Sequence, residues 1–116
     1  MVSQPPIKVY ASFSAAPEGS AERITRVMQQ AIADRSTEGE ETVFQEGALL
    51  RISFEGLYFP LEEVLAELAT TLARDATGKL DYLDMEAWTL TRHVFTHGAF
   101  SQSTRSLNHI LDWSGH

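Results

Sequence analysis

Two histidines near the end of the chain, His93 and His97, are spaced H-x-x-x-H. On a helix this spacing places both rings on one face, about 6 Å apart along the axis, where one zinc ion can bind both. The intervening Val94, Phe95 and Thr96 favour a strand, on which the two histidines are separated by roughly 13 Å. No glutamate follows His93, so the zinc-protease motif is absent. The sequence predicts no metal site here.

A second group lies at the C-terminus, where His109, Asp112 and His116 recur at helical spacing. They meet on one side only if a helix continues to the last residue, and Ser114-Gly115 argues against that. We expect a frayed terminus. Trp113 is then a packing or interface residue, because a tryptophan near a chain end combines a large apolar ring with one polar N–H.

Three carboxylates, Asp81, Asp84 and Glu86, are the remaining candidates for Mg²⁺ binding or acid–base chemistry. Strand alternation places Asp84 and Glu86 on one face and Asp81 on the other. Neither a partner base nor a glycine-rich phosphate loop accompanies them, and the serines lack the G-x-S-x-G elbow of a hydrolase. The sequence therefore predicts no catalytic residue and no cofactor.

Length and cysteine content bound the class of protein. A chain of 116 residues is the usual size of a single domain, here a core over 7–95 and a tail over 96–116. Cysteine is absent, which excludes disulfides and thiolate zinc sites and fits a reducing cytoplasm. We find no secretion leader and no apolar run of about 20 residues, so we expect a soluble cytoplasmic protein.

The formal net charge of −7 is concentrated in the middle of the chain. From Asp34 to Glu67 there are nine acidic residues, including Glu38, Glu40 and Glu41, against two basic ones. This field disfavours direct binding to nucleic acid or anionic membranes and attracts a basic protein partner. The alternative is that the acidic segment only keeps the surface solvated.

Hydrophobic periodicity predicts the elements in order. Ile7 to Phe13 alternates as a half-buried strand, and a helix follows from Ser20 to Arg35. A tight turn at Glu46-Gly47 then joins two strands, with Val43 facing Leu50 and Phe44 facing Leu49. A second helix runs from Pro60 to Thr77, and Gly78 ends it.

The region from Lys79 to Phe95 reads as one extended strand, which is too long for neighbours of about seven residues. The apolar positions change phase at Asp84, so a bulge or turn is expected there. After a Ser-rich stretch, a short helix is indicated by Leu107, Ile110 and Leu111.

Together the elements resemble the ferredoxin-like βαββαβ sandwich, an α+β fold with two helices on one face of a four-stranded antiparallel sheet, extended by a C-terminal tail. The resemblance is one of topology over about residues 7 to 95, and no activity follows from it. The fourth strand lies at a sheet edge in that order. Its overhang predicts a homodimer through the last strand and tail.

The preferred hypothesis is a small acidic, non-enzymatic binding or regulatory protein, such as an inhibitor of a basic or nucleic-acid-handling complex. Its expected partner contacts are the charged and apolar residues Glu38, Glu40, Glu41, Trp88, Leu90 and Trp113. The alternative hypothesis is a small metal-binding protein or hydrolase. It would combine the histidines His93, His97 or His109 with the carboxylates Asp81, Asp84 or Glu86.

Overall fold

The fold is a six-stranded antiparallel sheet with two helices on one face. The computed structural model describes residues 6–33 and 39–108. The strands are ordered β2-β3-β1-β4-β5-β6 across the sheet. In chain order the elements are β1 Ile7–Phe13, α1 Ser20–Ala33, β2 Gly39–Glu46, β3 Leu49–Gly56, α2 Leu61–Thr71, β4 Gly78–Asp84, β5 Thr89–Thr96 and β6 Ala99–Ser106.

Alternation along β1 decides which face of the sheet the helices cover. Val9 and Phe13 are fully buried, whereas Tyr10 on the opposite side is exposed. Leu50 and Leu80 lie on the buried side of the neighbouring strands, and each such buried side chain stabilises the fold by about 1.5–3 kcal/mol. The core therefore occupies the space between this face and the helices.

Most of the predicted core is confirmed. The hydrophobic pattern predicts nine core residues, of which seven are buried, namely Val9, Phe13, Ile24, Met28, Leu50, Ile52 and Leu68. Val27 and Leu65 are only partly buried and pack against the margin of the same cluster.

The predicted ferredoxin-like fold with a four-stranded sheet is wrong, because the sheet has six strands. Residues 79–95, predicted as one strand, contain most of β4, a turn and most of β5. The predicted Ser-rich tail contributes β6, which pairs with β5 over its whole length. The short helix predicted around Ile110 and Leu111 lies outside the described residues.

Two turns produce the additional strands. The carboxylate of Asp84 accepts hydrogen bonds from the backbone N–H groups of Glu86 and Ala87, at 3.0 and 2.9 Å, and Trp88 takes a positive φ of 61°. The predicted interruption near Asp84 is thus confirmed as a turn. At the next connection His97 and Gly98 both have positive φ, 53° and 83°, as a two-residue type I′ hairpin requires.

The register of the first hairpin differs from the prediction. Its turn is Gly47-Ala48 rather than Glu46-Gly47, so Val43 pairs with Ile52 and Phe44 with Arg51. This is a shift of two residues, which leaves every side chain on its predicted face. Gln45 also holds the hairpin against α1, because its side-chain carbonyl accepts a hydrogen bond from the N–H of Ala21.

The second helix is shorter than predicted, and the predicted end of the first is not described. The described part of α1 ends at Ala33, and Arg35 lies outside the described residues. Helix α2 ends at Thr71 instead of Thr77, because Leu72 is already extended. Gly78 does not end a helix but begins β4, where a Cβ atom would collide with the Ser12 carbonyl and lie 2.7 Å from the Phe13 Cα.

We expect Leu68→Ala to lower the free energy of unfolding by about 2–5 kcal/mol, because the leucine is completely buried in the core. Chemical denaturation measures this loss. The matched control is Leu57→Ala, which removes the same atoms from a residue 58% exposed and should cost under about 1 kcal/mol. Equal losses at the two positions would contradict the assigned helix face.

Candidate functional site

The residues of the metal-binding or hydrolase hypothesis do not come together. His93 lies on the helix-covered face of β5, and Asp81 belongs to the opposite face of β4. His97 forms the β5–β6 turn, whereas Asp84 and Glu86 lie at the other end of β5, about 23 Å away along the strand. Among the described residues no group of three histidine or carboxylate side chains is placed to bind a metal. His109 is outside them.

His93 is the unusual titratable group of the covered face. It is 4% exposed, between Leu80 of β4 and Gln102 of β6, and its buried Nε2 has no hydrogen-bond partner among the described residues. Burial lowers the pKa of its imidazole, and the Asp81 carboxylate only partly opposes this effect. The ring is therefore neutral at physiological pH and acts as a core residue.

The other face of the sheet carries no helix, and we call it the open face. Its side chains form three rows that cross the strands. The first row contains Phe44, Arg51, Ser12, Lys79, Val94 and Ser101, the second Ser53, Tyr10, Asp81, Arg92 and Ser103, and the third Glu55, Lys8, Leu83, Leu90 and Arg105.

Polar contacts between neighbouring strands order part of the open face. The Tyr10 hydroxyl donates a hydrogen bond of 2.8 Å to Glu55, and burial together with this carboxylate raises the pKa of the phenol. The Arg92 guanidinium donates two hydrogen bonds to Asp81, at 2.8 and 3.1 Å, which raise the pKa of the guanidinium. The two carboxylates described in these rows, Glu55 and Asp81, are thus already engaged.

A shallow depression of about 480 Å³ lies near the centre of the open face. Its walls include Tyr10 and Phe44, which are 40% and 45% exposed. Arg51 and Lys79 also line it, and within the described part of the chain neither forms an ion pair. Aromatic surface and unpaired positive charge therefore meet in one place.

Five of the nine basic residues of the chain lie in the three rows, Lys8, Arg51, Lys79, Arg92 and Arg105, against two acidic residues whose side chains are described. Sequence reasoning missed this clustering, since the basic residues are scattered from position 8 to position 105. For β1, the alternation of Lys8, Tyr10 and Ser12 with apolar residues indicates from the sequence that these three side chains share one face. The corresponding faces of the other strands became readable only with their register.

The predicted partner-binding residues have different positions. Leu90 is half-buried on the open face. Trp88 lies in the β4–β5 turn, where its indole N–H donates a hydrogen bond of 2.9 Å to the side chain of Asn108. Glu40 and Glu41 belong to β2, an edge strand, and their side chains are not described. Glu38 and Trp113 lie outside the described residues.

Comparison with protein-family models, curated proteins and solved structures found no match to this chain. In the described ranges, neither helix has the length and apolar character needed to cross a bilayer. The assignment of a function therefore depends on the geometry of the open face.

Stability should depend on pH through His93. The unfolded histidine takes up a proton near its ordinary pKa of about 6.5, whereas the folded one resists it, so stability is complete above that pH and falls below it. Urea unfolding between about pH 7.5 and about pH 5.5 measures the fall. His93→Gln should flatten it, and the exposed His97→Gln should not. An unchanged slope in His93→Gln would contradict this assignment.

Proposed function

We propose that the protein is a non-enzymatic binding module that docks a protein partner on its open face. The observation that carries the proposal is the exposure of Tyr10 and Phe44 in the central depression, beside Arg51 and Lys79, which form no ion pair with a described residue. Aromatic residues and arginine are enriched in protein interfaces and supply most of their binding energy. A regular sheet also presents these side chains on a rigid base.

Apolar side chains extend this surface toward β5. Leu83, Leu90 and Val94 are each half-buried on the open face, so part of their surface still contacts water. Covering this surface stabilises a complex by about 25 cal/mol per Å² before the costs of association. Leu90, predicted as a contact residue, thus keeps that role in the proposal. Trp88 lies in the β4–β5 turn and belongs to none of the three rows, and Trp113 lies outside the described residues.

The alternative of a metal-binding protein or hydrolase has less support from the described residues, because His93 and Asp81 lie on opposite faces and His97 lies at the far end of β5 from Asp84 and Glu86. A cytoplasmic location and the inhibition of a basic or nucleic-acid-handling complex stay part of the proposal. A homodimer also stays a prediction, although an overhanging final strand no longer supports it. The supposed overhang is paired as β5, and the edge strand on this side of the sheet is β6.

Affinity capture from the native host with the full chain as bait tests the proposal. Phe44→Ser should weaken binding of the captured partner at least about tenfold, because it removes an exposed aromatic from the wall of the depression. Leu57→Ser is the control, since Leu57 is similarly apolar and exposed but lies outside the strands. A partner retained equally by both variants would exclude the open face as its docking site.

The acidic segment makes a separate contribution in this proposal. If it attracts a basic region of the partner, replacing Glu38, Glu40 and Glu41 with Gln should slow association and reduce its dependence on salt, with folding unchanged. Stopped-flow or surface-binding kinetics at several salt concentrations measure both effects. Identical kinetics would mean that the segment only keeps the surface solvated.

A further inference from the structure

We infer that the part of the first row formed by Arg51, Ser12 and Lys79 is a carboxylate-binding subsite. It recognises an acidic side chain in an extended segment of the partner. The inference rests on the proposed function and adds the chemistry of the ligand. The three residues are directly paired across β3, β1 and β4, so a hydroxyl lies between two cations on three adjacent strands. The Arg51 and Lys79 backbones are thus about 10 Å apart.

The charges around the row favour one discrete anion. Arg51 and Lys79 are exposed, and neither forms an ion pair with any described residue. Arg92, by contrast, is occupied by Asp81 in a two-point contact. A carboxylate placed over Ser12 would receive charge-assisted hydrogen bonds from a guanidinium and an ammonium group, which are stronger than bonds between neutral groups.

A nucleic-acid strand is a poorer match for the same surface. The phosphates of a strand repeat along its length, whereas the cations of the other two rows are interspersed with the Asp81 and Glu55 carboxylates, so the face offers no continuous track of positive charge. The net charge of −7 adds repulsion at long range. A peptide carries its negative charge only where an acidic residue occurs.

The geometry also defines a spacing for the ligand. Phe44 lies at the end of the same row, two strands beyond Ser12, or about 10 Å away. Alternate side chains of an extended segment point toward the sheet, at about 6.6 Å for two positions and about 13 Å for four. The recognised segment should therefore carry an acidic residue and a large apolar residue two or four positions apart.

The experiment is selection from a displayed library of random peptides about ten residues long, enough in extended form to cross the sheet. The full chain is the bait in four versions: wild type, R51Q/K79Q, F44S and R23Q/R26Q. The last is the matched control, because it removes the same charge from exposed positions of α1. Circular dichroism and the melting temperature verify that every bait is folded.

Wild type and R23Q/R26Q should select peptides with the predicted acidic and apolar pair, and R51Q/K79Q should lose the preference for Asp or Glu. A synthetic peptide with a selected sequence should bind R51Q/K79Q at least about tenfold more weakly than it binds wild type or R23Q/R26Q. Its binding to wild type should also weaken as salt is added, whereas a peptide with Asn or Gln in place of the acid should show little salt dependence.

The negative outcomes separate the two claims. Peptides that require Phe44 but show no acidic preference, or keep it with R51Q/K79Q, overturn the carboxylate subsite and leave the docking face intact. If F44S and wild type select the same peptides, or if no peptide is selected at all, both the subsite and the docking face are overturned. Binding of a labelled oligothymidylate that depends on Arg51 and Lys79 would overturn the choice of a peptide and assign the row to nucleic acid.

Discussion

Pairing of β1 on both sides is the constraint on which the rest of the molecule depends. Its backbone bonds to β3 on one side and to β4 on the other, so its register fixes both halves of the sheet. Since side chains alternate, one choice sends Val9, Ala11 and Phe13 to the helices and Lys8, Tyr10 and Ser12 to the open face. A slip of one residue would bury Lys8 and expose Phe13. The missing Cβ at Gly78 belongs to the same constraint, because β4 passes the end of β1 with no space for a side chain.

The two faces of the sheet then acquire different properties. Two helices cover one face, and their apolar residues, among them Ile24, Met28, Val64 and Leu68, complete a single core. Nothing in the described chain covers the other face. It must therefore tolerate water, and it does so with hydroxyls, the Arg92–Asp81 ion pair and long basic side chains whose stems shield apolar neighbours. The same solution leaves cations and aromatic rings available to a partner.

The sequence was informative wherever the hydrophobic period was strong. The strand at Ile7 to Phe13, the starts of both helices and the interruption near Asp84 were predictable because apolar spacing or a turn residue marks each of them. Strand β6 was not, since seven of its eight residues are exposed and it is rich in serine and threonine, so it shows no alternation. An edge strand of this kind forms because its backbone pairs with β5. The turn that brings the two strands together is His97-Gly98, and from the sequence His97 looks like part of a metal motif. The open-face site was hidden for a related reason, because Arg51 and Lys79 become neighbours of Ser12 only through the pairing of three strands.

A net negative charge is compatible with a carboxylate-binding subsite, because the overall charge of the protein and the cations of the subsite act over different distances. At physiological ionic strength exposed charges are largely screened beyond about 8 Å, and the sheet and helix layers of a sandwich are about 10 Å apart. Glu62 and Glu63 at the start of α2 therefore have little influence on an anion bound at Ser12, whereas Arg51 and Lys79 contact it directly.

The net negative charge acts mainly before contact, when it slows the approach of an acidic segment and favours partners that also carry basic regions. Added salt then has opposite effects on the two stages, since it relieves the repulsion during approach and weakens the ion pairs after docking. A partner with a basic region near the acidic segment of β2 and one acidic residue over Ser12 satisfies both stages.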